Sequence, residues 1–179
     1  TLASKAKGLI AAYRERGHYL ANLDPLGMEQ LKTKGELGLD AKYYGISEAD
    51  LSLEIETEFG KTKLTDLVKM LDNIYAGNIG IEAKHLRDKN EIEWLHKQFE
   101  SRDLANFTKE EKLAILDNLI AAGGMEHYLH VKFPGAKRFS IEGGDATIAA
   151  LEASVEYFAK DHTQEVVVGM AHRGRLATL

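Results

Sequence analysis

One run near the end of the chain constrains the fold more than any other: "TQEVVVGMAHRGRL", Thr163–Leu176. Three consecutive valines followed by Gly169, Met170 and Ala171 have the β-branched, apolar composition of a strand buried on both faces of a parallel sheet. A strand of that kind needs helices on its faces and other strands at its edges. The sequence supplies one helix before it, over 145–160. Ile148, Leu151, Val155 and Phe158 share a face there, and Asp145 stands at the capping position. One strand and one helix cannot complete a doubly covered sheet. Residues 131–179 are therefore expected to open an α/β domain whose remainder lies on sequence beyond Leu179.

Everything earlier reads as helix. Leu2, Ala6, Leu9, Ile10, Tyr13 and Gly17 follow one helical face over residues 2–20, with Gly17 placed to end it. "NLDPLG" (Asn22–Gly27) is a turn. The alternation of Leu51, Leu53 and Ile55 predicts a short strand or an extended loop. Leu64, Leu67, Val68, Leu71 and Ile74 form an apolar stripe, with Thr65 as its expected cap. Asp88–Arg102 is a second amphipathic helix, with Ile92, Leu95 and Phe99 inward. Thr108 and Glu111 make a capping box before a third, Gly123-Gly124 is expected to break it, and Met125–Val131 to resume it. The fold class is thus α/β overall: an all-helical domain over residues 1–130, then the truncated α/β unit over 131–179.

Charge and composition narrow the function classes. There are 23 Lys and Arg against 28 Asp and Glu, a net charge of −5. The basic footprint of a nucleic-acid binder is missing. No apolar run approaches the ~20 residues that span a bilayer, and no signal peptide opens the chain. The chain has no cysteine, so neither disulfides nor thiolate chemistry enter.

The residues able to carry chemistry cluster late. His172 directly follows the valine run, where ligands bind in open α/β sheets, and an imidazole there can donate to an anion or move a proton. Arg173 and Arg175 add forked donors suited to carboxylate or phosphate. An equally simple reading is a strand-end histidine satisfied by a carbonyl, with both arginines paired to acids. In "KRFSIEGGDA", Lys137 and Arg138 precede a Gly-Gly turn into a helix N-terminus, a place that suits anions, although Glu142 and Asp145 would repel a phosphate. His127 and His130 share a helical face but lack a third metal ligand. "RERGHYLANLDPLG" packs Arg14, Arg16, His18 and Asp24 closely, which helix-end charge complementarity partly explains.

Four stretches together resemble one family. "AYRERGHYLANLDPLG", "IYAGNIGIEAKHL" with "EIEWL", "KFPGAKRFSIEGGDA" and "VVVGMAHRGRL" are similar to, and ordered as in, the thiamine-diphosphate-dependent first component of the 2-oxoglutarate dehydrogenase complex. The resemblance runs from about Ala11 to Leu176. It implies an enzyme whose cofactors are thiamine diphosphate and Mg²⁺, whose substrate is 2-oxoglutarate, and whose succinyl product passes to the dihydrolipoyl succinyltransferase component. It implies a homodimer in the bacterial cytoplasm, or in the mitochondrial matrix for a eukaryotic relative. By the same resemblance His172 hydrogen-bonds the substrate carboxylate and Arg138 serves the cofactor, while Arg173 and Arg175 support them. The family has Asn where this chain has Ala177. Its metal-binding stretch is expected downstream of Leu179 and its docking tail upstream of Thr1, so the 179-residue piece is expected to be inactive alone. A relative acting on another 2-oxo acid such as 2-oxoadipate, and a helical assembly module without chemistry, are the competing readings.

Overall fold

The computed structural model describes residues 1–101 and 107–179. They fall into two compact units, Thr1–Arg102 and Asp103–Leu179.

In the N-terminal unit, α1 (Leu2–Arg16) starts on Thr1, whose hydroxyl accepts the Ser4 N–H at 3.3 Å. Its Ala6, Leu9, Ile10 and Tyr13 are buried at helical spacing. It ends at Gly17, where the chain tightens into a 3₁₀ turn over Gly17–Leu20. A Cβ at Gly17 would lie 2.6 Å from the Cβ of Tyr75, so only a glycine allows this close approach. A short α2 (Lys34–Leu37) carries its own capping box from Thr33 and Glu36.

Next comes an antiparallel hairpin, β1 (Glu54–Thr57) and β2 (Gly60–Lys63), in register Ile55 to Thr62 and Thr57 to Gly60. The alternation around Ile55 anticipated the first strand. The second corrects the expectation of an all-helical region. The polar sequence "GKTK" carries no apolar alternation and becomes a strand because β1 offers it a ladder. β2 runs directly into α3 (Leu64–Tyr75), which buries Leu64, Leu67, Leu71 and Tyr75. Thr65 is not its cap. The capping position is Lys63, and the Leu64 N–H is taken up by the Leu53 carbonyl at 3.1 Å. α4 (Lys89–Ser101) matches the helix read over 88–102, of which Arg102 lies outside the described residues. Arg14 of α1 grips its Glu100 through two bonds of 2.7 and 2.8 Å, and Tyr75 donates to the same carboxylate at 2.5 Å.

The C-terminal unit holds α5 (Lys109–Lys132), α6 (Ala146–Lys160) and the single turn α7 (Arg175–Thr178). The Thr108–Glu111 capping box is formed. The expected break at Gly123-Gly124 is absent, and α5 runs through both glycines, whose surroundings are open. The C-terminal compact unit takes in α5. The reason is packing: α5 contacts α6 and α7. The valine run also departs from expectation. Residues 163–171 belong to neither helix nor strand, and Val167 is 85% exposed. A strand is made by its neighbours' hydrogen bonds, and no segment among the described residues supplies a ladder here. The described residues are mostly helical, with one small two-stranded sheet.

Candidate functional site

The C-terminal unit brings together the two stretches that carry His172 and Arg138. The Gly174 N–H donates to the Phe139 carbonyl at 2.9 Å. Gly174 adopts φ +73°, and a Cβ on it would press within 2.7–2.9 Å of the Ile141 side chain. The "HRGR" turn therefore sits flush on the "RFSI" segment because residue 174 lacks a side chain. The exposed His172 ring packs on Phe139, centroids 4.4 Å apart and planes tilted by 58°.

Arg138 is held differently, from α5. Its Nη2 lies 3.2 Å from Nδ1 of His130, and its Nε faces the Glu126 carboxylate at 3.8 Å without a hydrogen bond. His172 and Arg138 thus belong to one local arrangement but have separate partners. His130, read in sequence only as half of a histidine pair, touches the arginine instead. Among the described residues no group of three or more His, Asp or Glu stands close enough to hold a metal.

Beside this contact lies an open cavity of about 530 Å³, walled by Ile141, the Gly143–Gly144 turn, Thr147, Val168–Met170 and Arg173. A Cβ at Gly169 would meet nothing within 4 Å, so packing does not demand glycine there. Asp145 does not cap α6 with its side chain. It has helical dihedrals and its carboxylate accepts the Gly143 N–H at 3.1 Å, closing the Gly-Gly turn. Arg173 reaches the cavity wall, whereas Arg175 donates to the Met170 carbonyl at 2.8 Å and so braces the segment before His172.

The sequence reading passed over Glu126, Phe139 and Ile141. Glu126 had one visible signal: it falls one turn after Ala122 on the same helical face, and an acid on a buried face needs a partner.

The other motif stretches pack on one another in the N-terminal unit. Tyr13 donates to Asp72 at 2.7 Å, the Asn22 N–H reaches the Gly77 carbonyl at 2.8 Å, and Gly80 lies against His18. Arg16 donates to the Leu37 carbonyl and to Tyr44. "RERGHYLANLDPLG" is thus a structural seam, with Asp24 accepting three backbone N–H groups from Leu26, Met28 and Glu29.

No protein-family model matches the chain. Individual proteins do. One from Rickettsia felis, named 2-oxoglutarate dehydrogenase E1 component, is 46% identical over 180 residues, covering 98% of this chain and 18% of that protein. A protein of the same name from Rickettsia prowazekii is 47% identical over 98% of this chain and 19% of its own length. One from Haemophilus influenzae is 41% identical over the same shares. The chain spans about a fifth of the length of these relatives. It is homologous, along nearly all its residues, to one segment of an enzyme component. These homologous proteins share one name, 2-oxoglutarate dehydrogenase E1 component.

Proposed function

We propose that this chain is part of a thiamine-diphosphate-dependent 2-oxoglutarate dehydrogenase, with residues 131–179 opening the cofactor-binding α/β domain. The observation that carries the reading is similarity over 98% of the chain to relatives of that name. In this reading the whole enzyme decarboxylates 2-oxoglutarate oxidatively and passes the succinyl group to the lipoyl arm of a dihydrolipoyl succinyltransferase. It acts as a homodimer in the bacterial cytoplasm.

His172 binds the substrate. An imidazole packed against Phe139 loses little rotational freedom when it donates to a carboxylate, so the substrate is oriented at low entropic cost. Arg138 suits an anionic cofactor. Its guanidinium is a planar fork of N–H donors, a geometry that fits the oxygens of a diphosphate. When bound, the cofactor supplies the electron sink for the carbanion left by departing carbon dioxide. In this reading Mg²⁺ is held by the rest of the relatives' length.

The test uses the full-length protein. Carbon dioxide release from 2-oxoglutarate should require thiamine diphosphate and Mg²⁺. His172→Ala should lower kcat/KM for 2-oxoglutarate by about 10–100-fold, the worth of a hydrogen bond to a charged group. The loss on a monocarboxylic 2-oxo acid should be smaller. Equal losses would show that His172 does not read the second carboxylate.

A further inference from the structure

Among the described residues, Glu126 is the most deeply buried acid. It is 7% exposed, three-quarters of the way along α5. Burial of a carboxylate is costly unless it is paired and hydrogen-bonded, so its bonds indicate what it is kept for. Oε1 accepts the Ile141 N–H at 3.1 Å, in a buried bond between residues fifteen apart in sequence. Oε2 has no hydrogen bond and faces the equally unbonded Nε of Arg138 at 3.8 Å. One side chain thus addresses both ends of the Arg138–Ile141 segment.

That segment is the one on which the His172 turn rests. The Ile141 side chain fills the space left by the missing Cβ of Gly174, the Gly174 N–H is bound to the Phe139 carbonyl, and Phe139 carries the His172 ring. The contacts run without a gap from Glu126 through Ile141 and Gly174 to His172. Ile141 also walls the adjoining cavity.

We propose that Glu126 is a positioning residue: its buried carboxylate anchors the Arg138–Ile141 segment by the backbone of Ile141, and so sets where His172 meets the substrate. The kinetic part of this inference rests on the functional reading above; the structural part does not.

Two variants of the full-length protein with similar side-chain volume separate the roles of the carboxylate. Glu126→Gln keeps an acceptor for the Ile141 N–H, whereas Glu126→Met keeps the packing and removes the acceptor. Both remove the charge facing Arg138, so their difference isolates the Ile141 bond. Met should raise the KM for 2-oxoglutarate about tenfold, the cost of stranding a buried amide, with kcat within about twofold. Hydrogen exchange at the Ile141 amide should accelerate about tenfold in Met. Gln should stay close to wild type in both measurements. Met behaving as wild type, or Gln behaving as Met, overturns the proposal. If Met is not recovered folded, the wild-type amide decides: protection of Ile141 supports the anchor, and exchange at the rate of an open loop overturns it. A wild-type protein that does not turn over 2-oxoglutarate sinks the functional reading alone, because the exchange comparison needs no substrate.

Discussion

The two compact units treat apolar residues in opposite ways. In the N-terminal unit Leu9, Leu64, Leu67, Leu71, Tyr13 and Tyr75 are closed off from solvent. The phenols of Tyr13 and Tyr75 donate to Asp72 and Glu100, and burial followed by these bonds raises both well above the ordinary tyrosine range. Among the described residues of the C-terminal unit the buried apolar ones are Ala122, Ile141 and Ala149, while Leu116, Ile120, Tyr128, Tyr157 and Val167 stand exposed. The difference teaches where each sequence finds its partners. The first unit's stripes meet one another. The second unit's apolar faces are not matched within the described residues of that unit.

The sharpest way to break this contrast is to remove equal side chains from both units. Leu71→Ala should cost about 2–5 kcal/mol, since the side chain is fully buried and leaves a cavity. Leu116→Ala, on the exposed side of α5, should change stability by no more than about 0.5 kcal/mol. Urea unfolding of the 179-residue chain measures both. Similar losses would mean that Leu116 is as tightly packed as Leu71.

Glycines give a second contrast, with opposite signs. Gly17→Ala should destabilise by about 1–3 kcal/mol, because its methyl meets the Tyr75 Cβ at 2.6 Å and neither backbone can give way freely. Gly17 has helical dihedrals, so the cost is steric and not conformational. Gly123→Ala in α5 should stabilise by about 1 kcal/mol, since the added methyl enters open space inside a helix. Thermal unfolding of the two variants separates the effects.

These glycines also show what the sequence could and could not convey. The Leu64–Tyr75 stripe was legible because every third or fourth residue was apolar and a core lay within reach. The Gly123-Gly124 break was misread. Two unfavourable propensities were outweighed by a firm capping box at Thr108 and strong helix formers on both sides. The valine run forms no strand here for another reason: β-branched composition expresses a preference, and only a neighbouring strand turns it into a sheet. In the candidate site, "KRFS" and "HRGR" could be picked out as stretches. Their joining through Gly174 and Ile141 is a tertiary contact with no local signature, as is the burial of Glu126.

The smallest effect tests how tightly the N-terminal unit is closed. His96 on α4 is 8% exposed, and its Nδ1 is buried without a hydrogen-bond partner. Burial first, and then the Arg14 charge, hold its pKa below the ordinary histidine range, with Glu100 and Glu58 pulling weakly the other way. The fold therefore prefers the neutral imidazole. Its contribution to stability is fully present above the unfolded value of about 6.5 and is lost as the pH falls from there through the lower folded value. Glu15, Asp24, Glu36 and Asp50 also have lowered values, but carboxylates release their contribution only in more acidic solution, near and below about pH 4.5. The range just below pH 6.5 lies above that of the carboxylates, and across it the difference between the wild-type chain and a variant at residue 96 reads His96. Urea midpoints should fall across it for the wild-type chain, and His96→Phe, which keeps a ring but cannot titrate, should flatten that slope. A slope equal in the two proteins would mean that water reaches His96 freely, and that the N-terminal unit is less closed around α4 than its packing shows.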